Sequence, residues 1–190
     1  MLQKQADEIK RLRSDLRKEV KKEALNTAKQ LEAFQALQSL VGDISANFHG
    51  WPISPDFALG LVRLIRDHRY HLIIELGSGT STLLELRALE LFAPPEDNSG
   101  TTLPRILCFE HADLYLSKTQ QLVDSCANRS DLSLELCPLV PWSDSTGEYS
   151  YYSNLERIAE LLPVLAADHP VTPLKLLVVI DGPPGKTCHW

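Results

Sequence analysis

The chain has 190 residues, room for one ordinary domain and an appendage. Its 44% hydrophobic content excludes global disorder, and its longest uncharged apolar run, Leu176–Ile180, is far shorter than a membrane-spanning helix. The net charge of -6 hides an asymmetry: residues 1–30 hold nine Lys/Arg and five Asp/Glu, a net of +4, whereas residues 31–190 hold ten and twenty, a net of -10. An acidic body disfavours nucleic acid as a partner, because phosphate binding needs a basic face. The N-terminus is charged from Lys4 and lacks the apolar core of a secretory signal. Cys108, Cys126, Cys137 and Cys188 form no C-x-x-C pair, which argues against zinc ribbons and disulfide frameworks and for a reducing, cytoplasmic chain.

The first unit, residues 1–41, reads as one long helix. From Leu2 to Val41 there is neither Pro nor Gly, and the residues are mostly strong helix formers. Ile9, Leu12, Leu16, Val20, Ala24, Leu31, Phe34 and Leu37 recur in steps that keep them on one stripe. Ile9, Val20 and Leu31 are eleven apart, so the heptad carries a stutter. Such a helix would extend roughly 60 Å, too far to bury its stripe on one compact body. Self-association as a coiled coil is the expectation, with folding back onto the domain as the alternative. Gly42 supplies the C-terminal cap.

The second unit, residues 42–190, alternates helix and strand. Residues 50–56 read as an ordered loop, with Ser54 or Asp56 capping a helix over 57–68. The apolar run at 71–76 has the character of a buried parallel strand. A Gly-Ser-Gly-Thr-Ser-Thr turn leads into a helix over 83–92, and the polar, proline-bearing stretch 93–104 reads as an inserted loop. Strands follow at 105–110, 132–136 and 174–180, separated by helices over 113–128 and 154–167; residues 138–153 read as irregular and aromatic-rich. This order predicts an α/β fold, a doubly wound Rossmann-like parallel sheet.

In such sheets ligands bind beyond the carboxyl ends of the strands. Four segments place distinctive residues there. Gly77 and Gly79 allow a tight turn and close backbone approach, and the next helix offers free N–H groups. Glu110 closes the second strand, where nucleotide-binding folds place an acid that accepts hydrogen bonds from ribose hydroxyls. It lies 33 residues past Gly77, or 21 once the twelve-residue insertion is removed. Asp181 closes the last strand and points into the crevice. Leu139 to Trp142 offers apolar walls for an adenine ring. Leu83 follows Thr82 where a dinucleotide fingerprint would want its third glycine nearby, which weakens that reading. Gly182-Pro-Pro-Gly185-Lys186-Thr187 mimics the end of a phosphate-binding loop, but it is too short between its glycines and its prolines lack N–H donors. The histidines form no metal-binding pair; His111, beside Glu110, is a candidate base.

From these residues the chain resembles the class I S-adenosylmethionine-dependent methyltransferases over about residues 50–185. The motif Ile73-Ile-Glu-Leu-Gly-Ser-Gly-Thr-Ser-Thr82 is similar to the family's first motif, with Ser81 where many members carry a third glycine. The subgroup with G-S-G-x-S-T, a W-P-x-S-P-D segment and a D-G-P-P-G strand end fits more closely. The resemblance implies that Glu75, Gly77, Ser78, Gly79, Ser81 and Thr82 cradle the methionine part of S-adenosylmethionine. It implies that Glu110 binds the ribose, that Leu139 and Trp142 flank adenine, and that Asp181 and His111 serve methyl transfer to a small-molecule or glycan acceptor, with no metal assigned. The segment 51–56 would cover the cofactor. The family's sheet continues with a fifth strand and a final antiparallel hairpin. The chain is therefore expected to be a fragment, with completion by a partner or degeneration of the domain as alternatives. From another class, a coiled-coil scaffold with a vestigial cofactor fold stays open.

Overall fold

The computed structural model describes residues 2–44, 53–92, 105–124, 126, 131–143, 145 and 147–181. The expected insertion at 93–104, the Trp51-Pro52 cover, and everything from Gly182 onward lie outside the described residues, as do His49, Cys188 and His189.

The long N-terminal helix is present as α1 (Leu2–Val41). Its last turns dock: Ala33, Leu37 and Val41 are buried against α2 (Pro55–Asp67) and the first core. Docking begins at Gln30, whose side-chain oxygen accepts the Asp56 N–H at 3.2 Å. Upstream, Ile9, Leu12, Leu16 and Val20 stay exposed, as does Leu31 on the undocked face. The helix ends where Gly42, at φ 79°, bonds its N–H to the Gln38 carbonyl at 2.9 Å. The Val41 carbonyl accepts from Arg87 Nε at 3.0 Å, so a side chain of α3 (Thr80–Phe92) satisfies an orphan group of α1.

The body is α/β. β1 (Leu72–Leu76), β2 (Ile106–Glu110), β3 (Leu132–Leu136) and β6 (Leu176–Ile180) form a parallel sheet in the order β3-β2-β1-β6. That order is compatible with part of a doubly wound, Rossmann-like sheet. The side-chain alternation of a strand divides the core in two. Ile73, Ile106, Cys108 and Val179 face α1, α2 and α3; Leu72, Ile74, Leu76, Leu107 and Phe109 face α5 (Leu155–Asp168). All residues of β1 and β2 are buried, which is why both strands read as apolar runs interrupted only by Glu75 and Glu110. β6 lies at an edge, and Leu176, Val178 and Ile180 remain exposed on its α5 side.

Three expectations are corrected. Residues 138–153 are not irregular: β4 (Leu139–Ser143) and β5 (Glu148–Tyr152) pair antiparallel, with Trp142 opposite Tyr149. Those rings lie 5.5 Å apart, so the aromatic enrichment serves cross-strand packing. Pro141 disguised the strand; a two-stranded ribbon tolerates it because each strand has a free edge. Second, α3 begins at Thr80 instead of residue 83, so Ser81 and Thr82 belong to its buried first turn. Third, α4 (Asp113–Val123) stops short of residue 128, as the Cys126 N–H closes a tight turn onto the Val123 carbonyl at 3.0 Å.

Docking of α1 is local, so two leucines of the same helix should behave differently. Leu37→Ala is expected to destabilise the chain by about 2–5 kcal/mol, because it opens a cavity at a fully buried site. Leu16→Ala should leave unfolding of the α/β body within about 0.5 kcal/mol of wild type. Urea melts followed by tryptophan fluorescence distinguish the two.

Candidate ligand-binding crevice

The strand order reverses at β1: the chain leaves it for β2 on one side and returns to β6 on the other. A crevice at the carboxyl end of the sheet is the expected result at such a switch point. Glu75, Glu110 and Asp181 stand at these strand ends, and the glycine turn lies between β1 and α3.

The turn depends on its glycines. Gly77 has φ 96° and Gly79 φ 153°, backbone conformations that side chains with a Cβ disfavour. A Cβ on Gly79 would meet nothing within 4 Å, so conformation and not crowding selects glycine there. The Gly77 N–H bonds to the Phe109 carbonyl at 2.9 Å and the Asp181 N–H to the Leu76 carbonyl at 2.9 Å, tying the turn to both neighbouring strands.

Two carboxyl groups grip the turn from opposite sides. Glu110, 3% exposed, accepts the Ser78 N–H at 3.1 Å and the Ser78 hydroxyl at 3.0 Å on one oxygen, and the Ala112 N–H at 2.9 Å on the other. Ser78 Oγ also lies 2.9 Å from Thr119 Oγ1 of α4. The His111 Nδ1 sits 3.1 Å from Glu110 and 3.4 Å from the Tyr152 hydroxyl. A carboxylate at that distance favours the tautomer with hydrogen on Nδ1, which leaves Nε2 as the basic nitrogen. On the other side, the Gly79 N–H donates to Thr82 Oγ1 at 3.1 Å, and that hydroxyl donates to Glu75 Oε2 at 2.6 Å.

The solvation of the two acids differs. Glu110 receives two backbone N–H donors and a hydroxyl. Glu75 is fully buried, its Oε1 has no hydrogen-bond partner, and it is pushed up to about 7. Burial is the main cause; the Ser81, Thr82 and Cys108 side chains oppose it and the charge of Asp181 adds to it. Glu85, one turn after Ser81 on α3, is also fully buried, and both its carboxyl oxygens lack partners. Burial pushes it well above the ordinary range, with Glu75 and Asp181 adding repulsion. Burial also raises Asp181. The Ser81 hydroxyl is buried without a partner.

Among the residues singled out from sequence, Glu75, Gly77, Ser78, Gly79, Ser81, Thr82, Glu110, His111 and Asp181 thus come together around one turn. Leu139 is near: it is half-buried against the second core and opposite Tyr152, which reaches His111. Trp142 stands apart at the far end of β4, 54% exposed and packed on Tyr149. Glu85 was not singled out. Its signal is the spacing of Ser81, Glu85 and Ala88 along one helix face, hidden by starting the helix at residue 83. Among the described residues no cluster of His, Cys, Asp and Glu is arranged to hold a metal ion. No protein-family model matches the chain, and no curated protein matches it.

The buried acids set a pH dependence. A group that is raised on folding binds more protons in the native state, so it lowers stability as pH rises from its unfolded value through its folded one. For Glu75 that window is 4.5 to about 7, and the loss is on the order of 3 kcal/mol. The melting temperature of the wild type is expected to fall between pH 5 and pH 8. Glu85→Leu, which removes a buried unpartnered carboxyl, should raise it at pH 8 by more than at pH 5; calorimetric melts across this range check the sign. An equal increment at both pH values would contradict the assignment.

Proposed function

We propose that the chain is an S-adenosylmethionine-dependent methyltransferase domain, acting on a hydroxyl of a small molecule or glycan, and that α1 joins it to a second copy as a coiled coil. The observation that carries the reading is the Glu-Leu-Gly-Ser-Gly-Thr-Ser-Thr turn at the reversal point of a parallel sheet, held by an acid from the adjacent strand. The motif resemblance supplies the identity of the ligand.

The residues present fit such a cofactor. Glu75 Oε1 and the Ser81 hydroxyl are buried polar atoms without protein partners, and space is open above Gly79. Gly77, Ser78, Gly79, Ser81 and Thr82 would hold the methionine part with Glu75. Glu110 would receive the ribose hydroxyls on lone pairs not taken by Ser78 and Ala112, and Leu139 would border adenine. When bound, the cofactor supplies a methyl group already activated on a sulfonium, so the protein's task is mainly to align donor and acceptor. Asp181 and His111 are the candidate bases for the acceptor proton. Burial raises Asp181, which makes it a stronger proton acceptor than an exposed aspartate, and His111 offers Nε2 while Glu110 holds Nδ1. A cytoplasmic location belongs to this reading; among the described residues Cys108, Cys126 and Cys137 are free thiols, and no described helix is long and apolar enough to cross a membrane.

The coiled coil rests on the exposed stripe. Ile9, Leu12, Leu16, Val20 and Leu31 are each more than half exposed, and burying them against a second helix would remove that surface from water. The eleven-residue spacing of Ile9, Val20 and Leu31 favours a nearly straight or slightly right-handed pairing.

Two measurements test this reading. Calorimetric titration of S-adenosylmethionine and S-adenosylhomocysteine should give saturable binding, weakened at least about tenfold, or ~1.4 kcal/mol, by Gly79→Arg and by Glu110→Ala in variants shown to be folded. Binding without methyl transfer to any acceptor tried would favour the scaffold reading, and no binding by the folded chain would remove the cofactor. In sedimentation, the chain should be larger than a monomer at micromolar concentration and become monomeric on deletion of residues 1–40. A monomer unchanged by that deletion would remove the coiled coil.

A further inference from the structure

Three carboxyl groups lie on one side of the sheet. Glu75 shares the face of Ile73 on β1, and Asp181 continues the alternation of Leu177 and Val179 beyond β6. Glu85 comes from α3, which covers that same face. Ser81, buried and without a hydrogen-bond partner one turn before Glu85, is a further polar group on the same helix face. Four buried oxygens are therefore without hydrogen-bond partners: Glu75 Oε1, Ser81 Oγ and both of Glu85.

Around them the chemistry is one-sided. From β2 the neighbour is the Cys108 thiol, whose sulfur lies 3.8 Å from Thr82 Oγ1 and donates to the Gly77 carbonyl at 3.4 Å. From α3 come Ser81 and Thr82, from the end of β6 comes Asp181, and α2 presents apolar residues to the same core. Glu110 and His111 lie across the turn, behind Ser78. The groups whose fields act on Glu75 and Glu85 are carboxyls: Asp181 raises Glu75, and Glu75 and Asp181 raise Glu85. Two buried acids that repel one another keep a proton between them. A positive charge arriving nearby reverses the balance, because it favours the ionised form of each. Asp181 is the exposed member of the group, and so the side on which such a charge can enter.

We propose that Glu75, Glu85 and Asp181 form a proton-exchanging acid cage beneath the glycine turn, which gives up a proton to solvent when a cationic group of the ligand docks against it. The inference rests on the methyltransferase reading for its probe, S-adenosylmethionine, whose ammonium and sulfonium are cationic. Glu85 is then a positioning residue for charge: it acts through Glu75 and Asp181 and need not touch the ligand. The balance is simple. One carboxylic acid of the buried pair loses H⁺ to buffer, and the ligand's positive charge replaces it.

Titration calorimetry in two buffers of different ionisation enthalpy counts the protons released. At pH 7, near the value of Glu75, wild type is expected to release roughly half a proton or more per S-adenosylmethionine bound. Glu85→Gln, which keeps the shape and removes one acid, should release less than half of that. The neutral thioether 5′-methylthioadenosine should bind with little release. On wild type alone, affinity for S-adenosylmethionine should rise about threefold or more per pH unit from pH 5.5 to 7, as proton release requires. Binding with no release and no pH dependence overturns the cage and leaves the methyltransferase reading standing. Undiminished release by Glu85→Gln, or equal release with the thioether, overturns it also. Absence of any binding by the folded chain overturns both.

Discussion

The left-handed turn at Gly77 is the constraint on which the crevice depends. It passes the chain from a strand buried on both faces into a helix whose first turn is also buried. A turn so placed exposes backbone donors inside the protein, and each must find a partner. Two carboxyl groups from adjacent strands supply those partners: Glu110 takes Ser78, and Glu75 takes Gly79 through the Thr82 hydroxyl. The acids at the strand ends thus have structural duties in the protein without ligand, and any ligand must share them.

The two acids diverge for a physical reason. Glu110 meets two backbone N–H groups and a hydroxyl at the rim of the sheet, which replace much of the hydration a carboxylate loses on burial. Glu75 meets one hydroxyl within hydrogen-bonding distance and is fully buried with the Asp181 charge acting on it, so the neutral form persists to higher pH. Adding Glu85 to the same face makes the region costlier still when ionised. The protein tolerates this because β1 and β2 bury every residue on both sides, a reserve of apolar burial large enough to hold a few unsatisfied atoms. Local rules broken inside an otherwise consistent fold mark functional regions more often than errors.

The parts of the fold legible in the sequence were those in which one period dominates. The strands 72–76 and 106–110 are apolar at four of five positions each, and both are buried along their whole length. α1 announces itself by composition and by forty residues without Pro or Gly. The hairpin was illegible because Pro141 and the polar stretch at 143–148 mask a period carried mainly by Trp142, Tyr149 and their neighbours. Most of the crevice was legible because glycine and acid stand at strand ends. The packing of Trp142 on Tyr149 was not, since it is set by the cross-strand register. Glu85 was missed for a different reason: a charged residue inside an apolar helix pattern reads as the solvent face, and only the position of the helix start reveals that it turns inward.

α1 poses a separate energetic question. Its projecting part carries ion pairs such as Arg11–Asp15, Lys18–Asp15 and Lys22–Glu19, each at 3.9 Å and well exposed. Pairs of this kind contribute about 0.3–0.5 kcal/mol each, so they bias the helix without fixing it. The docked turns around Leu37 and Val41 anchor one end only. Cooperative propagation from that anchor lengthens a helix of good formers, but it does nothing for the apolar stripe that stays in water. Nor does the body offer the stripe a place, since α1 leaves it at Gln30. Charge points the same way: the net of +4 on residues 1–30 and of -10 on the remainder leave projection and body unlike in character. The stripe is therefore the feature of α1 that its own chain leaves unused, and burying it requires a second helix.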